Sequence, residues 1–579
     1  MKKIVLIIMV FSGINIFIYS QHLKPTNQER YSFTGAIDVN RFKMPLNNNG
    51  VLADVTHNGF QGGTYDGPIV LYSGGFYLCG KKIDSIWAAA IATSSRILDF
   101  LPGKVGSNVP DTINALYTVR SSDPPFGQSW INWATAVNLG ADFYDGNHDN
   151  IYNPVDLNNN GQWDLNEDKP DMLGDITTFC VYNDGVPFNL RRFNDCNPQG
   201  IEIHQTVFAY SDSTTNSLNN TIFIRYKIIN TGTVAPRYDS CFFALWSDPD
   251  IGNYANNRVG CDTLYNTGFC YNVNDDPYYG TNSPAFFGKI LQGPLAYIPG
   301  VTFIDSNNNG EFDEGEIPLD TAKNLRGALL GIQKFPGAKN LPMTSFSHYL
   351  SSHPVLGDPN TKEQVFNYLR GRDASGQILD PCTWTNGTVF GVNCNLINPL
   401  YWYSGDPVTN YGWINNTGHD QRMNVNTGPF RLEINKPVTI IAAYIVGRGE
   451  SHLNSISVAR RISNNINHFY KSNFTDYLSR TEYENNEITA DNFYLYQNYP
   501  NPFNPSTTIR YQVNTLCNVK LKIYDLLGNE IATLINEEKP TGSYEIEFNV
   551  GNYNLGNGIY FYQLSAGSYT KMRKMVLIK

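Results

Sequence analysis

Apolar and polar residues alternate over long stretches of this chain, and the alternation predicts β-strands. From Ile222 to Ile228 every second residue is apolar, which is the period-2 pattern of a half-buried strand. Residues 238–248 predict a further strand, and a hairpin is predicted around Lys81–Ser85. Residues 437–449 are apolar at nearly every position, so we expect this strand to be buried on both faces.

Two segments have the period of a helix instead. Residues 361–371 group their apolar side chains on one side. Residues 451–474 place apolar side chains at steps of three and four, which gives one continuous stripe. Ser451 is the predicted N-cap of this second helix. We expect the stripe to pack on a sheet, with a partner-binding face as the alternative.

The pattern of polar and apolar residues changes near the C-terminus. Residues 475–492 are polar, lack periodicity and predict a linker. After them, short alternating segments recur with turn residues between them, and Gly528-Asn529 predicts a two-residue hairpin turn. About six short strands at this spacing indicate a small antiparallel sandwich.

A proline-rich segment precedes the first long strand of this small domain. The sequence from residue 498 reads NYPNPFNPSTTIRYQV, with prolines at 500, 502 and 505. Proline fixes its own φ and restricts the preceding residue, so a helix is excluded. Three missing N–H donors also argue against a central strand. We expect an extended lead-in.

This segment and four later motifs, DLLGNEI, GSYEIEFNV, GNGIYFYQL and KMVLIK, occur in one order across residues 493–579. Together they resemble the type A C-terminal sorting domain of the type IX secretion system, also called the Por system. The resemblance implies an Ig-like sandwich that the outer-membrane translocon recognises. It further implies that the domain is removed and that the cargo is anchored to surface polysaccharide or released.

The N-terminus supports the same route. Residues 1–20 combine two lysines, an apolar run and a small residue before Gln21, which is typical of a signal peptide. An uncleaved membrane anchor is the alternative. The expected organisation is therefore a signal peptide (1–20), a body (21–474), a linker (475–492) and a sorting domain (493–579). The expected location is secreted or cell-surface, after export to the periplasm.

The expected fold class is mainly β: a large β-rich body with two helices and calcium-type loops, followed by an Ig-like antiparallel β-sandwich. Several blocks of the body, such as the one from Gly428 to Arg461, look like those of long exported proteins with the same tail. No function is assigned to that group of proteins.

Net charge and cysteine content narrow the function classes. The net charge is −10 and no long basic run occurs, so a nucleic-acid partner is not expected. All nine cysteines lie in the exported part, where disulfides are permitted. Their spacing shows no zinc motif. The short-loop candidates for disulfides are Cys180–Cys196, Cys261–Cys270 and Cys382–Cys394.

Two twelve-residue segments, 156–167 and 305–316, have the spacing of calcium loops. Each carries Asp or Asn at positions 1, 3, 5 and 9, Gly at position 6 and Glu at position 12. Ca²⁺ takes about six to eight hard oxygen ligands, including a backbone carbonyl at position 7. The predicted ligands are Asp156, Asn158, Asn160, Gln162, Asp164 and Glu167 in one loop and Asp305, Asn307, Asn309, Glu311, Asp313 and Glu316 in the other.

A third, degenerate loop covers residues 145–156. Asp145, Asn147 and Asp149 are its predicted ligands, and Asp156 would close it while also opening the next loop, as in the packed repeats of thrombospondin type 3 that this stretch resembles. The alternative for all three loops is a set of Asx-rich turns that bind no metal.

Signals for catalysis are sparse. No H-E-x-x-H, G-x-S-x-G or phosphate-loop motif occurs. Asp248 and Asp250 are candidate paired carboxylates, with turn residues as the alternative. A cluster of aromatic residues offers stacking faces for a glycan ligand, with core packing as the alternative. Its members are Trp384, Tyr401, Trp402, Tyr403, Tyr411 and Trp413.

We therefore expect an exported, non-enzymatic protein that calcium stabilises and that has a binding, adhesive or structural role. The second hypothesis is an exported hydrolase that acts on polysaccharide or protein, because such enzymes commonly use this export system and motif-poor glycosidases exist.

Overall fold

The structure is a computed structural model. It describes residues 33–475 except 93–98, 108–112, 212–216, 351–352 and 354, and residues 494–578 except 497, 499–500, 514–516, 527, 540–541, 554 and 568. The predicted signal peptide and nearly all of the predicted linker lie outside the described residues. The chain divides into two compact units, residues 1–475 and 476–579.

The first unit is built around a large antiparallel sheet. Its central strand, Val438–Gly447, pairs with Thr221–Asn230 on one side and Ala285–Gln292 on the other. This strand is buried at nine of its ten positions, as its two apolar faces predicted. In order across the sheet the strands are Tyr117–Arg120, Ile176–Asn183 (with Leu101–Pro102 also paired to it), Ile201–Ala209, Thr221–Asn230, Val438–Gly447, Ala285–Gln292, Thr267–Asn272 and Asn257–Asp262.

A five-stranded antiparallel sheet packs against one face of the large sheet. Phe76 and Phe243 of the smaller sheet contact Tyr226 of the larger one, at ring-centroid distances of 5.2 and 5.5 Å. The Tyr444 hydroxyl donates a hydrogen bond across the interface to the Trp246 carbonyl at 2.7 Å. The smaller sheet runs Ser345–Leu350, Gln421–Glu433, Arg237–Asp248, Ser73–Lys82 and Ser85–Ile91, and its last two strands form the predicted hairpin.

Shorter strands complete the described part of this unit. A four-stranded sheet contains Thr34–Ile37, Phe42–Asn47, Gly63–Tyr65 and Ile69–Leu71. Six two-stranded ribbons pair Thr56–His57 with Phe60–Gln61, Phe143–Tyr144 with Lys169–Pro170, Leu295–Tyr297 with Ala338–Asn340, Phe303–Ile304 with Ile317–Pro318, Thr321–Leu325 with Ile332–Pro336, and Gly387–Phe390 with Gly412–Asn415.

Both predicted helices are present, as α2 (Lys362–Tyr368) and α3 (His452–Lys471). The Ser451 side chain caps α3 by accepting a hydrogen bond from the Asn454 N–H. The apolar stripe of α3 covers the face of the large sheet opposite the five-stranded sheet. The two elements approach so closely that a Cβ at Gly447 would lie 2.4 Å from the Ala459 nitrogen.

One helix was not predicted. Helix α1 (Gln128–Leu139) buries Trp130 and Trp133 against the edge of the large sheet, beside Val119 and Phe179. It begins after Gly127 without a side-chain cap. Its buried residues recur every third position, and its interior holds Trp, Thr and Asn, which are weak helix formers. Tertiary packing therefore determines this helix.

The second unit is a two-sheet sandwich consistent with an Ig-like domain. Ile509 and Tyr511 of one sheet and Leu521 and Tyr562 of the other share one buried core. Pro502 and Pro505 lie outside the strands. One sheet contains Tyr494–Leu495, Ser506–Val513 and Gly542–Asn549, and the other contains Glu530–Lys539, Cys517–Tyr524, Gly558–Ala566 and Tyr569–Leu577.

The predicted two-residue turn at Gly528-Asn529 is wrong. The register pairs Tyr524 with Glu530, so the connection spans residues 525–529. The Asp525 carboxylate accepts a hydrogen bond from the Asn529 N–H at 2.8 Å, and this contact stabilises the longer loop.

One of the three disulfide candidates is formed, Cys382–Cys394. The cysteines of the other two pairs are free and buried. Cys261 lies opposite Gly268, and Cys270 lies opposite Val259, so these two cysteines are offset along neighbouring strands. The Cys196 thiol donates instead to a carbonyl of the five-stranded sheet, that of Ala88.

Among the described residues, no helix has the length and apolar character needed to cross a membrane.

The packing of α3 gives a testable prediction. Ile466 is fully buried between α3 and the large sheet, so Ile466→Ala should lower the free energy of unfolding by about 2–5 kcal/mol. Exposed Arg461 on the same helix is the control, and Arg461→Ala should change it by less than about 0.5 kcal/mol. All eight tryptophans lie before residue 414, so urea unfolding followed by tryptophan fluorescence reports on the first unit. Equal midpoints for the two variants would contradict this packing.

Candidate functional site

Short β-ribbons hold the ends of the candidate calcium loops. The segment 305–316 connects Phe303–Ile304 to Ile317–Pro318, with Ile304 paired to Ile317. The segment 145–168 connects Phe143–Tyr144 to Lys169–Pro170 in the same way. Because each ribbon brings its strand ends together, the intervening chain must fold back on itself as a closed loop.

In the loop 305–316, the acidic side chains at both ends accept hydrogen bonds from the backbone. Asp305, at position 1, accepts from the Gly310 N–H at 2.8 Å. Glu316, at position 12, accepts from Ser306 at 2.7 Å and from Asp313 at 3.1 Å. Gly310 has a φ of 78°, a left-handed conformation that favours glycine. The carboxylate at position 12 thus joins the two ends of the loop.

The loop 156–167 repeats these contacts. Asp156 accepts from the Gly161 N–H at 2.7 Å. Glu167 accepts from Leu157 at 2.7 Å and from Asp164 at 2.9 Å. Gly161 has a φ of 74°. Two unrelated places in the chain therefore adopt one hydrogen-bonding scheme, as their shared spacing suggested.

The asparagines of each loop hold the acidic residue at position 9. Asn307 and Asn309 donate their amide N–H groups to Asp313 Oδ2 at 2.8 and 2.7 Å. These hydrogen bonds lower the pKa of the Asp313 carboxyl. The same contacts occur in the other loop, from Asn158 and Asn160 to Asp164, at 2.8 and 2.9 Å.

The degenerate loop differs from its expected geometry. Asp145 accepts from the Asn150 N–H at 2.9 Å, as a position-1 residue does. The closing contacts go to Asp168, which accepts from Gly146 at 3.1 Å and from Asn153 at 2.7 Å. Asp168, rather than Asp156, thus makes the contacts that Glu makes at position 12 of the other loops. Counting twelve residues from Asp145 could not identify it.

Aromatic residues hold the 145–168 segment together and attach it to helix α1. The Tyr152 hydroxyl donates to the Trp130 carbonyl of α1 at 2.9 Å. The Trp163 indole donates to the Glu167 carbonyl at 2.9 Å. The Lys169 ammonium lies 4.5 Å from the Trp163 ring centroid, and burial there lowers the pKa of Lys169.

The other loop is anchored by charge and by ring contacts. Glu311 forms ion pairs with Arg237 at 3.0 Å and with Arg431 at 2.7 Å. The neighbouring Phe312 stacks on Tyr297, with ring centroids 6.0 Å apart. Both anchors act on positions 7 and 8, so they orient the backbone carbonyl that a calcium loop uses at position 7.

The donor set of each complete loop suits calcium. It consists of two aspartates, one glutamate, two asparagines and one backbone carbonyl, all hard oxygen donors. In the described part of the chain, three carboxylates bring their oxygens within 4.8 Å of one another at a different place, formed by Asp248, Asp250 and Asp420. In the two complete loops, by contrast, asparagine amide groups donate hydrogen bonds to the aspartate at position 9, and these bonds set the positions of the side chains.

Most of the aromatic cluster is core. Trp402, Tyr403 and Trp413 are buried, and the first two contact the buried His348 ring at centroid distances of 5.6 and 5.1 Å. Burial lowers the pKa of His348 to about 3, so this imidazole is neutral at physiological pH. The buried members of the cluster cannot stack on a sugar, and of the six only Tyr411 is strongly exposed.

Comparison with known proteins identifies the second unit. Residues 497–579 match the secretion system C-terminal sorting domain. The chain is thus a cargo protein of the type IX secretion system, located at the cell surface or secreted. No curated protein matches the chain.

Similarity to solved structures is low. A polysaccharide lyase is 7% identical over 95% of this chain, with a TM-score of 0.25. Dimeric latent PorU from Porphyromonas gingivalis is 9% identical over 70% of this chain, with a TM-score of 0.15. The chain covers 47% and 31% of these two structures. Neither similarity carries an argument about this chain.

The role of Asp168 can be tested without metal. Asp168 is buried and accepts two backbone N–H groups, and Asp168→Asn turns one acceptor into a donor. In EDTA this change should lower the free energy of unfolding by about 1–3 kcal/mol. Asp84, exposed in a hairpin turn, is the control, and Asp84→Asn should have little effect. Coinciding urea unfolding curves for the two variants would show that Asp168 does not hold this loop.

Proposed function

We propose that the first unit is a calcium-stabilised scaffold with a binding, adhesive or structural role at the cell surface or in the medium. The observation that carries the proposal is the hydrogen-bonding scheme shared by 156–167 and 305–316. In both loops, oxygens at positions 1, 3, 5, 9 and 12 belong to Asp, Asn or Glu, and glycine makes the turn at position 6.

Electrostatics supports a cation in these loops. Each complete loop places three carboxylates at positions 1, 9 and 12, and hydrogen bonds from N–H groups of the loop offset part of their mutual repulsion. A divalent cation would take the place of the asparagine amide groups that now donate to the aspartate at position 9, and it would supply full positive charge there. Calcium bound this way would connect the two ends of each loop and oppose its opening.

The export route fits this role. A type IX cargo protein works outside the outer membrane, where extracellular calcium modules typically bind with dissociation constants of about 0.1–1 mM. A ligand that binds only the folded state adds RT ln(1 + [L]/Kd), which is about 1.4 kcal/mol per site at ten times Kd.

Calcium should therefore raise the melting temperature of the full chain, followed by tryptophan fluorescence. The expected result is a higher midpoint in 5–10 mM calcium, about ten times such a Kd, than in EDTA. Glu316→Gln should remove part of this rise, because it removes a carboxylate at position 12. Glu314→Gln changes an exposed residue of the same loop and should keep the full rise.

Two outcomes would count against the calcium proposal. Melting curves that coincide in EDTA and in calcium would identify the loops as asparagine-rich turns. An equal calcium response in the Glu316 and Glu314 variants would show that position 12 of this loop holds no ion.

The sorting domain can be tested by transfer. Deleting residues 493–579 should leave the protein in the periplasm of a bacterium that carries the type IX system. Fusing the same residues to a periplasmic reporter should bring the reporter to the cell surface, whereas a fusion to residues 517–579, which lack the proline lead-in and the strand Ser506–Val513, should not. Normal surface amounts of the truncated protein would contradict the sorting role.

A further inference from the structure

Three aspartates meet where two neighbouring strands of the five-stranded sheet end. Asp248 is the last residue of Arg237–Asp248, and Asp250 follows it by two positions. Asp420 directly precedes the antiparallel neighbour Gln421–Glu433. One carboxylate oxygen from each residue lies within 4.8 Å of the other two. We call these three residues the Asp248 cluster.

One arginine neutralises part of the Asp248 cluster. Arg422 places Nε 3.1 Å from Asp248 Oδ2 and Nη1 3.1 Å from Asp420 Oδ1. Among the described residues, Asp250 forms no ion pair and accepts no hydrogen bond. With all three carboxylates ionised and one guanidinium present, the net charge is −2, the charge that a divalent cation balances.

A buried acceptor in the Asp248 cluster lacks a donor. Asp248 is 2% exposed, and its Oδ1 has no hydrogen-bond partner in the part of the chain that the structure describes. A buried oxygen in this state keeps the full cost of its desolvation, and this cost is larger when the oxygen is charged.

We propose that Asp248, Asp250 and Asp420 bind a hard divalent cation, for which Ca²⁺ is the probe. Their carboxylate oxygens are hard donors, and no histidine or cysteine belongs to the group, which disfavours softer metals. Arg422 stays outside the coordination sphere and orients two of the carboxylates. This site is separate from the Asx-rich loops, because it is assembled from two strands that are far apart in sequence.

The position of the site indicates its role. Asp248 and Asp420 close the same end of two paired strands, and Asp250 begins the connection to Asn257–Asp262 at the edge of the large sheet. A cation bound here would link strand ends of the smaller sheet to the chain that enters the larger one. It would therefore stabilise the junction of the two sheets.

The number of calcium ions bound per chain tests the proposal. Equilibrium dialysis with ⁴⁵Ca²⁺ should show that Asp250→Asn binds one ion fewer than the unchanged full chain. Asp275→Asn makes the same substitution at an exposed position and should bind the same number as the unchanged chain. In EDTA the Asp250→Asn chain should melt no lower than the unchanged chain, since it loses a repulsive charge.

A loop-deficient chain separates this site from the loops. In a background with Glu167→Gln, Asp168→Asn and Glu316→Gln, adding Asp250→Asn should still remove one ion. Asp420→Asn provides a second, independent removal of a ligand. If neither aspartate substitution changes the number of ions bound by a folded chain, the proposal is overturned. If the loop substitutions alone change nothing, the loop proposal fails while this one stands.

Discussion

The strand Val438–Gly447 sets the main constraint on the first unit. It is apolar on both faces, and a strand of this kind is stable only when each face is covered. The five-stranded sheet covers one face through contacts such as Tyr444 with Trp246. Helix α3 covers the other, and its backbone comes close enough that a side chain at Gly447 would collide with it. The three-layer arrangement follows from this double burial.

Both candidate cation sites, the Asx-rich loops and the Asp248 cluster, lie at the margins of the layered core. The Asx-rich loops extend from two-stranded ribbons, and the Asp248 cluster lies at strand ends of the smaller sheet. Each place gathers more negative charge than its local cations offset. The loops compensate with amide hydrogen bonds, whereas the Asp248 cluster has one arginine for three carboxylates. A bound cation would offset the remaining negative charge at both places.

Local pattern predicted much of this structure. Period-2 alternation identified the strands, steps of three and four identified α3, and motif order identified the sorting domain. Position counting also located the loops whose backbone geometry recurs. These features depend on residues that are near one another in sequence, so a single pass along the chain reveals them.

Features that depend on distant residues were missed. Asp420 and Arg422 join Asp248 only because two strands pair across more than 170 positions. Asp168 replaces Asp156 because the fold returns the chain to the first loop. Helix α1 lacks an N-terminal side-chain cap and is determined by its contact with the sheet. Strand register likewise keeps Cys261 and Cys270 out of line with each other, so these two cysteines remain free.

A crystal structure of the secreted protein, grown in calcium, would show whether the loops bind the ion. We expect anomalous density in 156–167 and 305–316, with oxygen ligands at about 2.3–2.6 Å. The ligands should include Asp156 and Glu167 in one loop and Asp305 and Glu316 in the other. Loops that keep their asparagine–aspartate hydrogen bonds in saturating calcium, with no ion peak, would contradict this expectation.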